Sequence, residues 1–440
     1  MNFRAYLKLL ACFVACGSVV ISGANWMIDP FYIFETPRIS GLNAAKTGFF
    51  KNLRTMKPIV LQAKRNTIDT VILGSSRAEA GLDPEHPAWG DSKVYNLGIP
   101  APSMYELLRY YEFANQVQEL RTVVLALDFS QYVTQTNSEV DHLLQKISTP
   151  TDHYLASNLV TTLFSIDVLL ASVRTVLFQH NPDVEHTPLG FGIHTWRGEE
   201  AARIGQRAVF IDNDKQYIAT HWVTKGSTPE SFGREETANL VYFRRLVEEI
   251  RTHNTRLIVL ISPSHAREWS IIWTAGLWPQ LEQWKRNIVT ILAEDAAQHP
   301  GKEPFALWDF SGYNSITTED VPLAGDTQTQ MRWYWEASHY KKEVGDMILD
   351  RLFNNHNPAR HIPDDFGTIL TVGNIDAHLH TMRNQQLIWH RQHEQELREI
   401  RELVEVAQKG LAVKYTRKSK ALSEGHPDLL GRLEDLAQHG

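Results

Sequence analysis

The chain has 440 residues, 43% of them hydrophobic and 22% charged, which suits one large α/β domain with extensions or two domains. A net charge of −7 without a long basic block argues against nucleic acid as the main partner. The histidines lack metal-ligand spacing, and both cysteines, Cys12 and Cys16, lie in an N-terminal apolar run. We therefore expect no metal, no cofactor, no disulfide and no cysteine nucleophile in the body of the protein.

The N-terminal run predicts a membrane helix. Residues 9–28 are uncharged and follow a basic flank, and twenty helical residues span about 30 Å of hydrocarbon. A secretory signal cleaved near residues 22–24 is the alternative, which would release the body. The run continues through Trp26, however, which is placed as an interfacial anchor. We expect a single-pass anchor over 1–28 in a bacterial inner membrane, with the body in the periplasm or outside the cell.

After a connector at 29–65, apolar strands alternate with helices. The predicted strands are Thr70–Leu73, Lys93–Asn96 and Thr122–Leu127, and Pro102-Ser103 is placed as the start of a helix. Short, continuous apolar strands are typical of a parallel sheet that is buried on both faces. The alternation therefore predicts an α/β fold with right-handed crossovers.

The pattern breaks between 133 and 233, which we interpret as a helical insertion or cap. It contains an apolar helical pattern formed by Leu159, Leu163, Ile166, Leu169, Val173 and Leu177. A segment around Gly190-Phe191-Gly192 follows. From Arg234 the α/β pattern resumes with a helix and two further strands, Leu257–Ile261 and Phe305–Asp309.

The composition of the chain changes from residue 355 onward. Pro and Gly interrupt it, and 384–407 then mixes charges at i,i+4-like spacing, the pattern of a solvated helix. We expect a packing or oligomerisation arm that could bind a protein partner. The predicted organisation is an anchor at 1–28, a connector at 29–65, a catalytic domain at 66–354 and a helical extension at 355–440.

Two motifs carry the candidate chemistry. Gly74-Ser75-Ser76 forms a strand-to-helix turn, where backbone N–H groups converge on a developing oxyanion. Serine needs an adjacent base, and Glu336-Ala-Ser-His339 supplies one, with i,i+3 spacing that lets the acid orient the imidazole. In isolation the serine turn is also a common helix cap. His180 and His265 remain alternative bases, the latter at the carboxyl end of a strand.

These motifs resemble the sequence blocks of the GDSL/SGNH hydrolase superfamily over 66–130 and 234–354. The resemblance implies a flavodoxin-like parallel sheet of about five strands flanked by helices. It also implies that Ser76 is the nucleophile, that His339 is the base and Glu336 its acid, and that the N–H groups of Ser76 and Gly98 bind the oxyanion.

The chain departs from the family at three of these blocks. Ser75 replaces the aspartate of the first block, and Glu336 replaces the aspartate of the last. Asp128 stands where the family has an asparagine that donates to the oxyanion, and a carboxylate donates only when protonated.

The remaining substrate-pocket candidates are Arg77, His265, Asp309 and Asn314. The chain is similar to membrane-anchored relatives that transfer D-alanine or O-acetylate bacterial polysaccharides. That likeness implies acyl transfer to, or removal from, an envelope or exported polysaccharide, with an acyl donor and a carbohydrate acceptor as partners. The alternative is a non-catalytic carbohydrate-binding or assembly protein on the same fold.

Overall fold

The centre of the fold is a six-stranded sheet, seen in a computed structural model that describes residues 3–34, 36–46, 53–132, 140, 144, 160, 162–180, 185–224 and 229–423. Leu159 of the predicted apolar helix and both predicted boundaries at 133 and 440 lie outside these residues. The sheet strands are β1 (Thr70–Leu73), β2 (Val94–Asn96), β3 (Thr122–Leu127), β6 (Arg256–Ile261), β7 (Ala306–Asp309) and β8 (Thr368–Leu370).

The strand order is β2-β1-β3-β6-β7-β8, and the first five strands are parallel. All five predicted strands are therefore confirmed. Alternate residues of β1 enter two separate apolar cores, Val71 and Leu73 on one face and Ile72 on the other. This burial on both faces explains why the strand sequences are continuously apolar.

The sixth strand, β8, was not predicted and comes from the segment expected to be only helical. It pairs antiparallel with β7 at the edge of the sheet. Three residues are too few to produce a recognisable alternation, and their pairing partner lies far away in the chain.

Helices cover both faces of the sheet. The face of Val71 packs against α2 (Leu53–Ala63), α4 (Met104–Val117), α8 (Pro229–Thr252), α9 (Ala266–Thr274) and α10 (Trp278–Gln298). The opposite face carries α3 (Ser76–Gly81) and α11 (Lys342–Phe353). The predicted helix start at Pro102-Ser103 is confirmed, because Ser103 is the N-cap of α4 and forms a capping box with Glu106.

The described part of the insertion consists of α5 (Ile166–Leu177), a small hairpin of β4 (Glu185–His186) and β5 (Gly192–Ile193), α6 (Thr195–Ile204) and α7 (Gln206–Tyr217). The hairpin is held against α3 by the buried Glu79. One Glu79 oxygen lies 2.6 Å from His186 Nε2 and the other 3.1 Å from His194 Nε2. Gly192 permits this approach, because a Cβ there would lie 2.0 Å from the carboxylate.

Two terminal regions complete the described chain. The helix α1 (Phe3–Ile28) is the one helix among the described residues that is long and apolar enough to cross a membrane. At the other end, α12 (Ile375–Gln392) and α13 (Glu394–Ser423) occupy the region predicted as a charged helix. Leu397, Ile400 and Val404 of α13 are buried, and α13 packs against α9.

Candidate active site

Ser76 lies at the carboxyl end of β1, where the chain turns sharply into α3. Ser75 is the N-cap of this helix, and its hydroxyl accepts a hydrogen bond from the Arg77 N–H at 3.1 Å. Gly74 makes the turn possible, because a Cβ there would lie 2.8 Å from the Ala78 Cβ and 3.0 Å from the Ala126 carbonyl oxygen. The local sequence thus caps the helix with one serine and presents the next at the edge of the sheet.

Ser76, His339 and Glu336 form a continuous hydrogen-bonded chain. The Ser76 Oγ lies 2.7 Å from Nε2 of His339, and Nδ1 of the same ring contacts Glu336 Oε1. This is the arrangement in which a neutral imidazole accepts the serine proton while a carboxylate fixes its tautomer. The structure brings together all three residues that the sequence assigned to this chemistry.

Glu336 is fully buried but surrounded by donors. The Ser338 N–H donates to Oε2 at 2.7 Å, the Ser338 hydroxyl donates to the same atom at 3.0 Å, and Arg197 donates to Oε1 at 2.9 Å. Burial alone would raise the pKa of Glu336. His339, Arg197 and the Ser338 N–H outweigh it and hold that pKa well below its ordinary value, so the carboxylate is ionised.

Burial has the opposite consequence for the base. It lowers the pKa of His339 to about 4, with Arg197 and Arg77 acting in the same direction and Glu336 opposing them. The imidazole is therefore neutral at neutral pH and can accept a proton from Ser76.

A cleft of about 480 Å³ opens over Ser76 and His339. Its outer wall comes from α6, α7 and the turn after α7 in the insertion. The side chains of this wall are mostly polar and include Trp196, Arg197, Glu200, Asn213, Gln216 and Thr220. The cleft has room for a small polar molecule beside the serine.

Arg77 is buried, and its guanidinium is held by neighbouring groups. Its Nε donates to the Ser338 carbonyl at 2.8 Å, and its guanidinium pairs with both oxygens of Glu268 at 2.8 and 2.9 Å. A third contact joins it to Asp128 at 3.3 Å. Arg77 therefore links α3, which begins with Ser76, to the loop that contains His339.

The two expected oxyanion residues have other partners. The Gly98 N–H donates to Asn96 Oδ1 at 2.8 Å. Gly98 also packs tightly on α3, since a Cβ there would lie 2.8 Å from the Glu79 nitrogen. Asp128 is buried beside Arg77, and its charge balances that guanidinium. Neither residue lines the cleft, so packing accounts for both in this conformation.

The other sequence candidates lie away from the cleft. His265 caps α9 and contacts the Glu319 carbonyl at 2.7 Å, and burial lowers its pKa to about 3. His180 is exposed just beyond α5. Neither histidine contacts Ser76, whereas His339 does.

Asp309 and Asn314 stabilise the fold around β7. Asp309 binds Lys285 at 2.5 Å and His378 at 2.8 Å. Asn314 donates to the Phe310 carbonyl at 3.1 Å and accepts from the following turn. The sequence placed both at the pocket because they follow a strand, but β3 and β6 separate β7 from β1.

Arg197 is a residue of the candidate site that sequence reasoning missed. It lies on α6, and 139 residues separate it from the carboxylate it binds. No local spacing could reveal that contact, which depends on how the insertion packs over the sheet. Among the described residues no cluster of His, Cys, Asp or Glu is arranged to hold a metal. Comparison of the whole chain with protein-family models and with curated proteins found no match.

Proposed function

We propose that the protein is an acyl esterase or O-acyltransferase that uses Ser76 as nucleophile, His339 as base and Glu336 as the orienting acid. The observation that carries this proposal is the 2.7 Å contact between Ser76 Oγ and His339 Nε2 at the floor of an open cleft. A serine that served only as a helix cap would not need a contact with a neutral imidazole that is held by a carboxylate.

The reaction would have two halves. Ser76 Oγ attacks the acyl carbonyl carbon while His339 Nε2 takes the hydroxyl proton. The tetrahedral intermediate collapses, the ester C–O bond breaks, and His339 returns the proton to the leaving alkoxide. A water molecule or a sugar hydroxyl then attacks the acyl-serine, with the same imidazole as base, which restores Ser76.

Stabilisation of the oxyanion would begin at the Ser76 N–H. This group belongs to the first residue of α3, and the first-turn N–H groups of a helix have no intrahelical acceptor. Gly98 could contribute only if its N–H leaves Asn96 Oδ1 when the substrate binds. The oxyanion site is thus the part of the proposed mechanism most dependent on a conformational change.

The fold supports the more specific resemblance to SGNH hydrolases. The parallel order β2-β1-β3-β6-β7 corresponds to the 2-1-3-4-5 order of flavodoxin-like sheets, in which ligands bind at the carboxyl ends of the strands. The apolar α1, with a basic N-terminal flank, supports anchoring in a bacterial inner membrane with the body in the periplasm. We accordingly favour an envelope or exported polysaccharide as the acceptor.

Labelling with a fluorophosphonate tests the nucleophile. We expect Ser76→Ala to abolish labelling of the full-length protein, because the probe forms a covalent bond with the reactive hydroxyl. Ser75→Ala is the matched control. It removes a helix cap worth about 1 kcal/mol but leaves the Ser76 hydroxyl in place, so labelling should persist.

Thermal unfolding of both variants shows whether a loss of labelling comes from a lost reactive group or from a lost fold. Persistent labelling of a folded Ser76→Ala variant would refute the nucleophile assignment. Release of acetate from a model ester, with and without a sugar acceptor, then distinguishes the hydrolase from the transferase.

The second candidate is a non-catalytic carbohydrate-binding protein. Two observations favour it: the Gly98 N–H already donates to Asn96, and the Asp128 carboxylate, paired with Arg77, offers no donor to an oxyanion. If the folded wild-type protein binds a polysaccharide but neither reacts with the probe nor hydrolyses esters, this second function is the correct one.

A further inference from the structure

The helix α5 exposes an apolar face that no described element covers. Ile166, Leu170, Val173 and Leu177 follow i, i+4, i+7 and i+11 spacing, and between 48% and 71% of each residue is exposed. Val168, Ser172 and Thr175 on the opposite face are buried. The helix therefore has its polar contacts inside and its apolar face outside, the reverse of a helix on a water-facing surface.

The buried polar side of α5 and the residues just before the helix contact the apolar helix α1. Asn25 of α1 is fully buried, and its amide donates to the carbonyl oxygens of Leu163 at 2.8 Å and Ser165 at 3.1 Å. The Ser172 hydroxyl donates to Asn25 Oδ1 at 3.1 Å. The start and the middle of α5 are thus fixed to the last turns of α1.

The position of Asn25 sets the depth of α5 relative to a membrane spanned by α1. Asn25 lies one turn before the end of α1, next to the exposed Trp26, and tryptophan concentrates at the lipid–water interface. Asp167 and Arg174 lie together on one flank of the apolar face, where charged groups can reach lipid headgroups. An interfacial helix has this arrangement of an apolar face beside a charged flank.

We propose that α5 lies in the lipid–water interface on the side of the membrane where α1 ends, with Ile166, Leu170, Val173 and Leu177 among the lipid acyl chains. This inference rests on the proposed membrane anchoring of α1 and goes beyond the proposed chemistry. The body is then held on the membrane surface by two helices at a fixed orientation.

Lipid fits this face better than a second copy of the chain does. The helix α5 packs on the end of α1, whose residues from Phe3 to Cys16 are exposed and apolar apart from Arg4 and Lys8. A bilayer covers both surfaces at once, whereas a protein partner would have to cover a soluble face and a membrane helix together.

Spin labels can measure this depth in the full chain, reconstituted in nanodiscs of phosphatidylethanolamine and phosphatidylglycerol. The native Cys16, kept with Cys12→Ala, marks the hydrocarbon core. In a background of Cys12→Ala and Cys16→Ala, Leu170→Cys and Val173→Cys report the apolar face, and Asp167→Cys on the same helix is the matched control. The collision rates of each label with oxygen and with a water-soluble nickel chelate give its depth.

We expect the labels at positions 170 and 173 to resemble the label on Cys16, with oxygen collisions exceeding nickel collisions, and the label at 167 to show the reverse. Nickel access at 170 and 173 with a lipid-exposed Cys16 would overturn the inference about α5 alone. Nickel access at all these positions would overturn the anchoring as well, and would leave the serine chemistry untouched. Spin–spin broadening at 170 that disappears on dilution with unlabelled protein would indicate a second copy and would also overturn the inference.

Discussion

A single carboxylate oxygen connects the insertion to the candidate catalytic residues. Glu336 Oε1 contacts His339 Nδ1 and also accepts a hydrogen bond from Arg197. Arg197 lowers the pKa of both Glu336 and His339. Burial has the larger effect on each: it raises the pKa of Glu336 and lowers that of His339. We infer that Arg197 positions the acid and keeps the imidazole neutral without contacting the reacting atoms.

Removing this cation should shift the pH dependence of the reaction. In Arg197→Gln the pKa of His339 should rise, because the nearby positive charge disfavours the protonated imidazole. A larger share of the imidazole is then protonated, so the acid limb of the labelling rate should move to higher pH. Arg197→Lys should restore most of the midpoint, because it retains the charge. A loss of rate with an unchanged midpoint would assign Arg197 to substrate binding instead.

The wild-type protein should remain reactive in mildly acidic solution. His339 must be neutral to accept the Ser76 proton, and its pKa of about 4 implies that the neutral form predominates above that pH. The rate of fluorophosphonate labelling should therefore rise with pH through a midpoint near 4 and then level off. A midpoint at about 6.5, the pKa of a free imidazole, would contradict the buried environment described for His339.

The sequence predicted the serine, the histidine and the glutamate because each lies in a short motif next to a strand or helix. It could not predict the partners of Gly98 and Asp128. A backbone N–H or a carboxylate is available to a substrate only if neighbouring side chains leave it unpaired. Here Asn96 and Arg77 bind these groups, and this pairing depends on packing between separate elements.

At the level of elements, the approach of two helices sets the distance between Ser76 and His339. Ser76 begins α3, and His339 lies three residues before α11. These helices meet at Gly81 and Gly345, where a Cβ on Gly345 would lie 1.7 Å from the Gly81 carbonyl oxygen. Only glycine at position 345 allows this close packing.

We expect Gly345→Ala to destabilise the protein by about 1–3 kcal/mol, the usual cost of overpacking a core. The labelling rate of the folded fraction should also fall, because separation of the helices lengthens the contact between Ser76 and His339. Gly410→Ala is the matched control, since a Cβ on that helical glycine meets no atom within 4 Å. Chemical denaturation and probe labelling of both variants measure the two effects. Equal free energies of unfolding for the two variants would show that the helices can move apart without destabilising the protein.

The elements themselves were largely predictable, except where they were short. Buried strands such as Thr122–Leu127 stand out because a short, uninterrupted apolar run between polar turns is typical of a strand inside a parallel sheet. The three residues of β8 give no such signal and form a strand only because β7 offers a free edge.

Across the whole molecule, the C-terminal helices are part of the body. Arg267 of α9 is completely buried and pairs with Asp214 of the insertion at 2.7 Å and with Glu399 of α13 at 2.8 Å. A third carboxylate, Glu396, lies 3.2 Å away. One cation thus joins the core, the insertion and the tail. The charge pattern of α13 predicted a solvated helix, but part of that charge faces Arg267.

Truncation after Gln392 should therefore destabilise the whole protein. It exposes the surface covered by Leu397, Ile400 and Val404 and removes two partners of Arg267, with an expected loss of about 5 to 9 kcal/mol from the apolar part. Truncation after Lys409 is the control, because it spares all of these residues. Thermal unfolding of both truncated chains is the measurement. Identical midpoints would mean that α13 contributes nothing to the stability of the fold.

The bond between Glu79 and the two hairpin histidines restricts how this protein can be re-engineered. Glu79 lies one turn after Ser76 on α3, so the hairpin of the insertion is attached to the helix that begins with Ser76. A chimera that imports another insertion to change specificity would leave a buried carboxylate without its partners. Such a graft must therefore replace Glu79, or bring its own histidines and the close-packed glycine at position 192, before the new cleft can be assessed.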